Sequence, residues 1–184
     1  MGWSGLALAL SLWSLAAWAE EPYGIFIQRA SLGRDASGRI ISADIDYRFS
    51  PAIIEALDNG VPLTFLLDFA LVEKRALHLD RVWISARRRI QLRYHPLAQS
   101  YQVVDQFSGA IQSFAGLAAV LDTLGHIRGW RIDVPDAAGT PKSLNARLQL
   151  QLDIESLPLP LRLSAYLSRD WRLPSPAYLW PAEP

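Results

Sequence analysis

Polar and apolar residues alternate most regularly in two stretches. Leu144, Ala146, Leu148, Leu150 and Leu152 alternate with Asn145, Arg147, Gln149, Gln151 and Asp153, and Ile41, Ala43, Ile45, Tyr47 and Phe49 alternate with Ser42, Asp44, Asp46 and Arg48. A period of two sends successive side chains to opposite faces, so each stretch predicts a strand with one face on a core and the other in water. Residues 25–32 read as a further strand, followed by turn chemistry in Arg34, Asp35, Ala36, Ser37 and Gly38. Residues 63–72 are almost continuously apolar, as expected of a strand covered on both faces at the centre of a sheet. Residues 81–94 predict a long strand with Val82, Ile84, Ala86, Ile90, Leu92 and Tyr94 inward, and residues 101–106 its antiparallel return after His95 and Pro96.

Elsewhere the spacing becomes helical. Ser50 offers an N-cap, Pro51 suits the first helical position, Ile53, Ile54 and Leu57 share a face, and Asn59 and Gly60 end the turn. Ser113 precedes Phe114, Leu117, Ala118, Leu121 and Leu124, with Gly125 as the stop, which predicts a second helix capping an open end of the sheet. Residues 134–141 form a loop rich in Pro, Gly and Ala. Pro158 and Pro160 cannot donate to a regular ladder, so the chain turns or follows an edge there before the aromatic tail of Tyr178 and Trp180. The fold class expected is mainly β, an antiparallel β-sandwich, immunoglobulin-like or related, with two short helices.

The first 19 residues carry no charged side chain, and the apolar run 6–15 leads to Ala17 and Ala19. This is the h-region and small-residue site of a signal peptide cleaved after Ala19, so a periplasmic or cell-envelope location is expected, although the usual positive n-region is missing. The competing reading is an uncleaved anchor, for which so short a run is marginal against about 30 Å of hydrocarbon. Residues 20–184 then make a single β-rich domain with no stable membrane span. With 51% apolar and 20% charged residues, that domain should build a packed core.

Eighteen basic and eighteen acidic residues cancel, which argues against the uniform positive field of a nucleic-acid-binding protein. The absence of cysteine excludes disulfides, thiolate metal sites and cysteine nucleophiles. His78, His95 and His126 fall in no spacing that puts two imidazoles on one metal from a single element, and no nucleophile elbow, phosphate loop or dinucleotide fingerprint occurs. No catalytic residue, metal ligand or cofactor is therefore assigned.

The candidate binding residues are arginines and one aromatic cluster. Alternation sends Arg87, Arg89 and Arg93 to the face opposite Ile84, Ile90 and Leu92, where second neighbours lie roughly 7 Å apart and present a basic stripe to an extended anion or an acidic segment. The competing reading pairs them across strands with Asp44, Asp46 or Glu73. Arg88 falls among apolar neighbours and Asp68 interrupts an apolar run, so a mutual Arg88 and Asp68 pair is expected to satisfy both. Ser168, Arg169, Asp170 and Trp171, with Tyr178 and Trp180, offer an interface-like surface, against the reading that these aromatics pin the C-terminal segment to the core.

One set of residues runs through the whole domain: Gly60-Val61-Pro62-Leu63-x-Phe65, Tyr94-His95-x-Leu97-x-x-x-Tyr101-x-Val103, Ser113-Phe114-x-x-Leu117, Ile127-Arg128-Gly129-Trp130, Leu157-Pro158-x-Pro160-Leu161 and Ser168-Arg169-Asp170-Trp171. Taken together they resemble the proteobacterial family known as domain of unknown function 4390. The resemblance implies an exported protein of about this size with no assigned activity, and a partner near a membrane sensor protein. The function expected is an exported envelope protein acting as a protein-binding or accessory module, with an exposed edge strand available for strand addition. The alternative is a small-molecule binder or enzyme with a pocket between the sheet and the second helix, lined by aromatics and an Arg that holds an anion.

Overall fold

The structure is a computed structural model and describes residues 23–36, 38–74, 80–133, 144–173 and 175–182. The signal peptide and processing site expected in residues 1–19, His78 and the loop expected over 134–141 lie outside the described residues. Among the described residues nine strands form: β1 (Gly24–Asp35), β2 (Gly38–Arg48), β3 (Leu63–Glu73), β4 (Arg81–His95), β5 (Ser100–Asp105), β6 (Ile111–Phe114), β7 (His126–Ile132), β8 (Leu144–Leu152) and β9 (Tyr178–Ala182). Three helices interrupt them: α1 (Pro51–Asp58), α2 (Leu117–Gly125) and α3 (Leu159–Leu167).

All strand pairs are antiparallel, in a three-stranded sheet β1-β2-β7 and a six-stranded sheet β6-β5-β4-β3-β8-β9. The two sheets share one core and make a sandwich. Ile41, Ala43, Ile45 and Tyr47 of the small sheet and Phe65, Leu67, Phe69, Leu148 and Leu150 of the large one are buried in the same cluster. Tyr47, Phe49 and Phe65 bridge the sheets, with ring centroids 5.6 Å apart for both Tyr47–Phe65 and Phe49–Phe65. Burial pushes the Tyr47 phenol above its ordinary pKa. The division into three and six strands departs from the immunoglobulin arrangement of two sheets of similar size.

β3 occupies the middle of the large sheet, between β4 and β8, as its continuous apolar run predicts. Its outer residues Thr64 and Leu66 are buried although they face away from the small sheet. In register they are flanked by Gln91 and Arg89 of β4 and by Gln151 of β8, whose long stems screen short neighbours. Ser50 caps α1 by accepting from the Ile53 amide at 3.3 Å, with Pro51 in the first turn. α2 closes the side of the sandwich against β2, β5 and β7. Its last residue, Gly125, lies so close to β2 that a Cβ there would sit 2.7 Å from the Ile45 carbonyl oxygen.

Several expectations need correction. A bulge between Leu71 and Val72 shifts the β3–β4 register, so Val82 pairs with Val72 on the outer face and is 51% exposed instead of inward. Ser113 does not cap α2, because residues 111–114 form the edge strand β6 and the helix starts at Leu117 behind Gly116. Residues 126–132 form β7, and α3 is a third helix. Pro158 and Pro160 occupy its N-cap and first turn, where a missing amide hydrogen costs nothing, so they start a helix there.

Candidate functional site

The outer face of the six-stranded sheet is built by simple alternation. Ile90 and Leu92 are buried against the small sheet, which turns Arg87, Arg89, Gln91 and Arg93 outward. Register places Arg89 beside Leu66, Arg87 beside Asp68, and Arg147 of β8 beside Ala70 on the other side of β3. Arg93 lies beside Gln102 of β5. This face presents the four cations Arg87, Arg89, Arg93 and Arg147 against two carboxylates, Asp68 and, just past the end of β8, Asp153, which also acts on Arg87. A shallow recess of about 390 Å³ is lined by Asp68, Val82, Arg87, Arg147 and Gln149, among others.

The partners of these arginines differ. Arg87 donates to Asp68 at 2.5 Å, which raises the guanidinium pKa, and Arg93 donates to the Gln102 side-chain oxygen at 2.9 Å and 3.2 Å. Arg89 and Arg147 make no ion pair among the described residues. None of the carboxylates expected to neutralise the stripe does so. Asp44 takes Arg128 and is held below the ordinary carboxylate pKa by that bond, Asp46 takes Arg48 at 2.8 Å, and Glu73 accepts from the Trp83 indole at 3.1 Å. Asp44 and Asp46 belong to the small sheet and lie out of reach of β4.

The expected Arg88 and Asp68 pair is overturned by strand parity. Asp68 stands opposite Arg87 on the outer face, whereas Arg88 stands opposite Leu67 on the inner one. Arg88 is satisfied by Asp105 of β5, at 2.8 Å and 3.1 Å to one carboxylate oxygen. The other oxygen accepts from the Phe107 amide at 2.9 Å and the Ser108 amide at 3.4 Å. Burial raises the Asp105 pKa, but the Phe107 amide and Arg88 outweigh it and leave the group below its ordinary value. A cleft of about 490 Å³ opens beside this pair toward Arg128, Trp130 and Arg131 of β7. Its arginines are already matched, Arg128 with Asp44 and Arg131 with Asp35 at 3.7 Å, so it is poorer in available charge than the outer sheet face.

The C-terminal cluster does not come together as a surface. Trp171 is buried in the core at 6% exposure while Arg169 and Asp170 face solvent. Ser168 caps the 3-10 turn Arg169–Trp171 by accepting from the Asp170 amide at 3.1 Å, and Ser50 donates to the Asp170 carbonyl at 2.5 Å, tying this turn to the start of α1. Trp180 packs 6.2 Å from Phe69 and 5.7 Å from Tyr178. The space between β2 and α2 is an open recess of about 420 Å³ lined by Asp44, Asp46, Asp122 and His126, with no arginine in its wall. This recess differs from the Arg-and-aromatic pocket expected beside the second helix.

His95 bonds Gln102 at 3.0 Å and His126 bonds the Asp122 carbonyl at 2.7 Å. No cluster of three or more metal-ligating side chains occurs among the described residues. Sequence reasoning missed Arg147, although the alternation of β8 already put it outside. It also missed the outward leucines of α3, whose spacing was visible behind the two prolines.

The class defined by these features is an antiparallel two-sheet sandwich with one core shared by the sheets and an arginine-bearing outer face. Residues 23–181 match the family model Domain of unknown function (DUF4390), and the chain belongs to that family. No curated protein and no solved structure matches the chain.

Proposed function

We propose that this protein is an exported accessory module of the cell envelope that binds an acidic surface of another envelope protein, a membrane sensor being the partner class the family resemblance suggests. The observation that carries this reading is the outer face of the six-stranded sheet, with Arg87, Arg89, Arg93 and Arg147 against Asp68 and Asp153 in a chain whose net charge is zero. Such a face costs little in water and gains when a partner supplies carboxylates to a planar array of guanidiniums. Export rests on the leader pattern in residues 1–19.

The test is charge reversal at the two arginines of this face that make no ion pair among the described residues, Arg89→Glu with Arg147→Glu. Crosslinking in living cells should capture a partner with the wild type and lose it with the variant, while the melting temperature stays within a few degrees, because exposed substitutions change stability by roughly 0.5 kcal/mol or less. Wild-type capture should weaken as salt rises. Equal capture by both forms refutes the basic face as the binding surface.

A further inference from the structure

One end of the sandwich is apolar where it meets solvent. α3 buries Ala165 and turns Leu159, Leu163, Tyr166 and Leu167 outward, at exposures of 73%, 70%, 49% and 83%. Their spacing of four, three and one residues puts them on one side of the helix. Leu97, in the turn between β4 and β5, is fully exposed. β3 starts at this end, β4 and β8 finish at it, and Tyr101 of β5 donates to Asp58 of α1 at 2.9 Å, so Leu97, α1 and α3 share it. Of the nine large apolar residues exposed among the described ones, four lie on α3 and Leu97 lies at the same end of the sandwich.

The described chain also begins here. Gly24 pairs with Arg48 at the end of β2, two residues before the Ser50 that holds the Asp170 carbonyl, and the 3-10 turn of Asp170 packs on both α1 and α3. Just upstream of Tyr23 stand Pro22, Glu21 and Glu20, and before them the charge-free segment with its apolar run 6–15. From Ala19 to Tyr23 the chain extends roughly 14 Å at most, at about 3.5 Å per step. Where that run stays in a bilayer as an anchor, the bilayer therefore lies close to this end.

We propose that the α3 end of the domain rests on a lipid bilayer surface, with Leu159, Leu163 and Leu167 in the acyl boundary and Tyr166 at headgroup level. The apolar side of a short helix suits burial of about 5–10 Å at the interface, and an aromatic with a polar tip suits the headgroup layer. Arg169 and Arg172, exposed just beyond the helix, fall where phosphate groups lie. This placement is independent of the basic sheet face, whose normal lies across the strands and not along them, so a docked domain leaves that face open.

The full chain has no cysteine, so single substitutions can each carry an environment-sensitive fluorophore. Leu163→Cys, Leu97→Cys and, at the opposite end, Ala36→Cys are labelled and mixed with vesicles of phosphatidylethanolamine and phosphatidylglycerol. The labels at 163 and 97 should shift to the blue and be quenched by a lipid-borne quencher, while the label at 36 stays accessible to aqueous iodide. Adding Leu159→Asp and Leu167→Asp should return the label at 163 to water even when the chain still sediments with the vesicles. If the chain does not sediment with vesicles, or if the label at 163 on sedimented chain is as open to iodide as that at 36, the proposal fails. It also fails if the label at 163 is already shielded without lipid, which would mean that a second copy or the chain's own leader covers the face.

Discussion

The outer face of the six-stranded sheet and the α3 end of the sandwich are both exposed, but they stand in water on opposite terms. Around β3 the sheet face presents guanidiniums and amides, with the short residues of β3 beneath their stems, while Val82, Ile111 and Leu179 stand exposed singly on the same face. Water solvates that surface well, so it persists without a partner. At the α3 end the helix turns four large apolar side chains outward and buries one alanine. Each exposed leucine forgoes roughly 1.5–3 kcal/mol that full burial would return, so that end gains most from being covered. The sheet face offers specificity through charge, and the helical end offers adhesion through area.

The comparison depends on which side of each element is core, and β8 gives the sharpest test. Leu148 is 0% exposed between Phe69 and Tyr178, and Gln149 beside it points outward. Leu148→Asp should cost about 4 kcal/mol or more, because a carboxylate enters the middle of the core without a partner. Gln149→Asp, which sets a second carboxylate opposite Asp68, should cost no more than about 1 kcal/mol. Chemical denaturation of both variants checks this, and equal losses would reverse the faces of the whole sheet.

The same logic separates two leucines that flank the start of α3. Leu157 is 0% exposed in the shared core, whereas Leu163 is 70% exposed. Leu157→Ala should lower unfolding free energy by about 2–5 kcal/mol through lost burial and a cavity. Leu163→Ala should leave it within about 0.5 kcal/mol, since there is little packing to lose. A large loss at Leu163 in lipid-free solution would mean that the α3 end is already packed against something.

What the sequence disclosed follows from how regular each element is. β2 and β8 keep period two from end to end, so their buried and exposed residues were legible one by one. β7 was not, because Gly129 takes a φ of 69° and the β2–β7 register shifts between Ile41 and Ala43, which breaks alternation within a seven-residue strand. β6, at four residues, is too short to show a period. α3 was hidden by Pro158 and Pro160, read as breakers when they are starters. On the candidate face, Arg87, Arg89 and Arg93 were legible from alternation, but their partners were not, because pairing depends on register between strands distant in sequence. That is also why Arg88 was matched with Asp68 when parity gives it Asp105.

Arg88 and Arg87 extend the comparison to adjacent residues, one inside and one outside the sheet. The Arg88 and Asp105 side chains are 25% and 14% exposed, against 57% and 35% for Arg87 and Asp68. Removing the carboxylate of the sheltered pair leaves a guanidinium half-buried without its partner, so Asp105→Asn should cost about 1–3 kcal/mol at neutral pH. Asp68→Asn, in the open pair, should cost less than about 1 kcal/mol. The Asp105 carboxyl sits below its ordinary value of 3.8, so the folded state favours its ionised form. That stability is fully present above the unfolded pKa and is lost as pH falls through the folded one. The gap between wild type and Asp105→Asn, measured by denaturant unfolding, should therefore be constant from pH 7 down to about 4 and shrink below that. A gap that widens on acidification would mean that the Asp105 carboxyl is held by burial and not by Arg88 and the Phe107 amide.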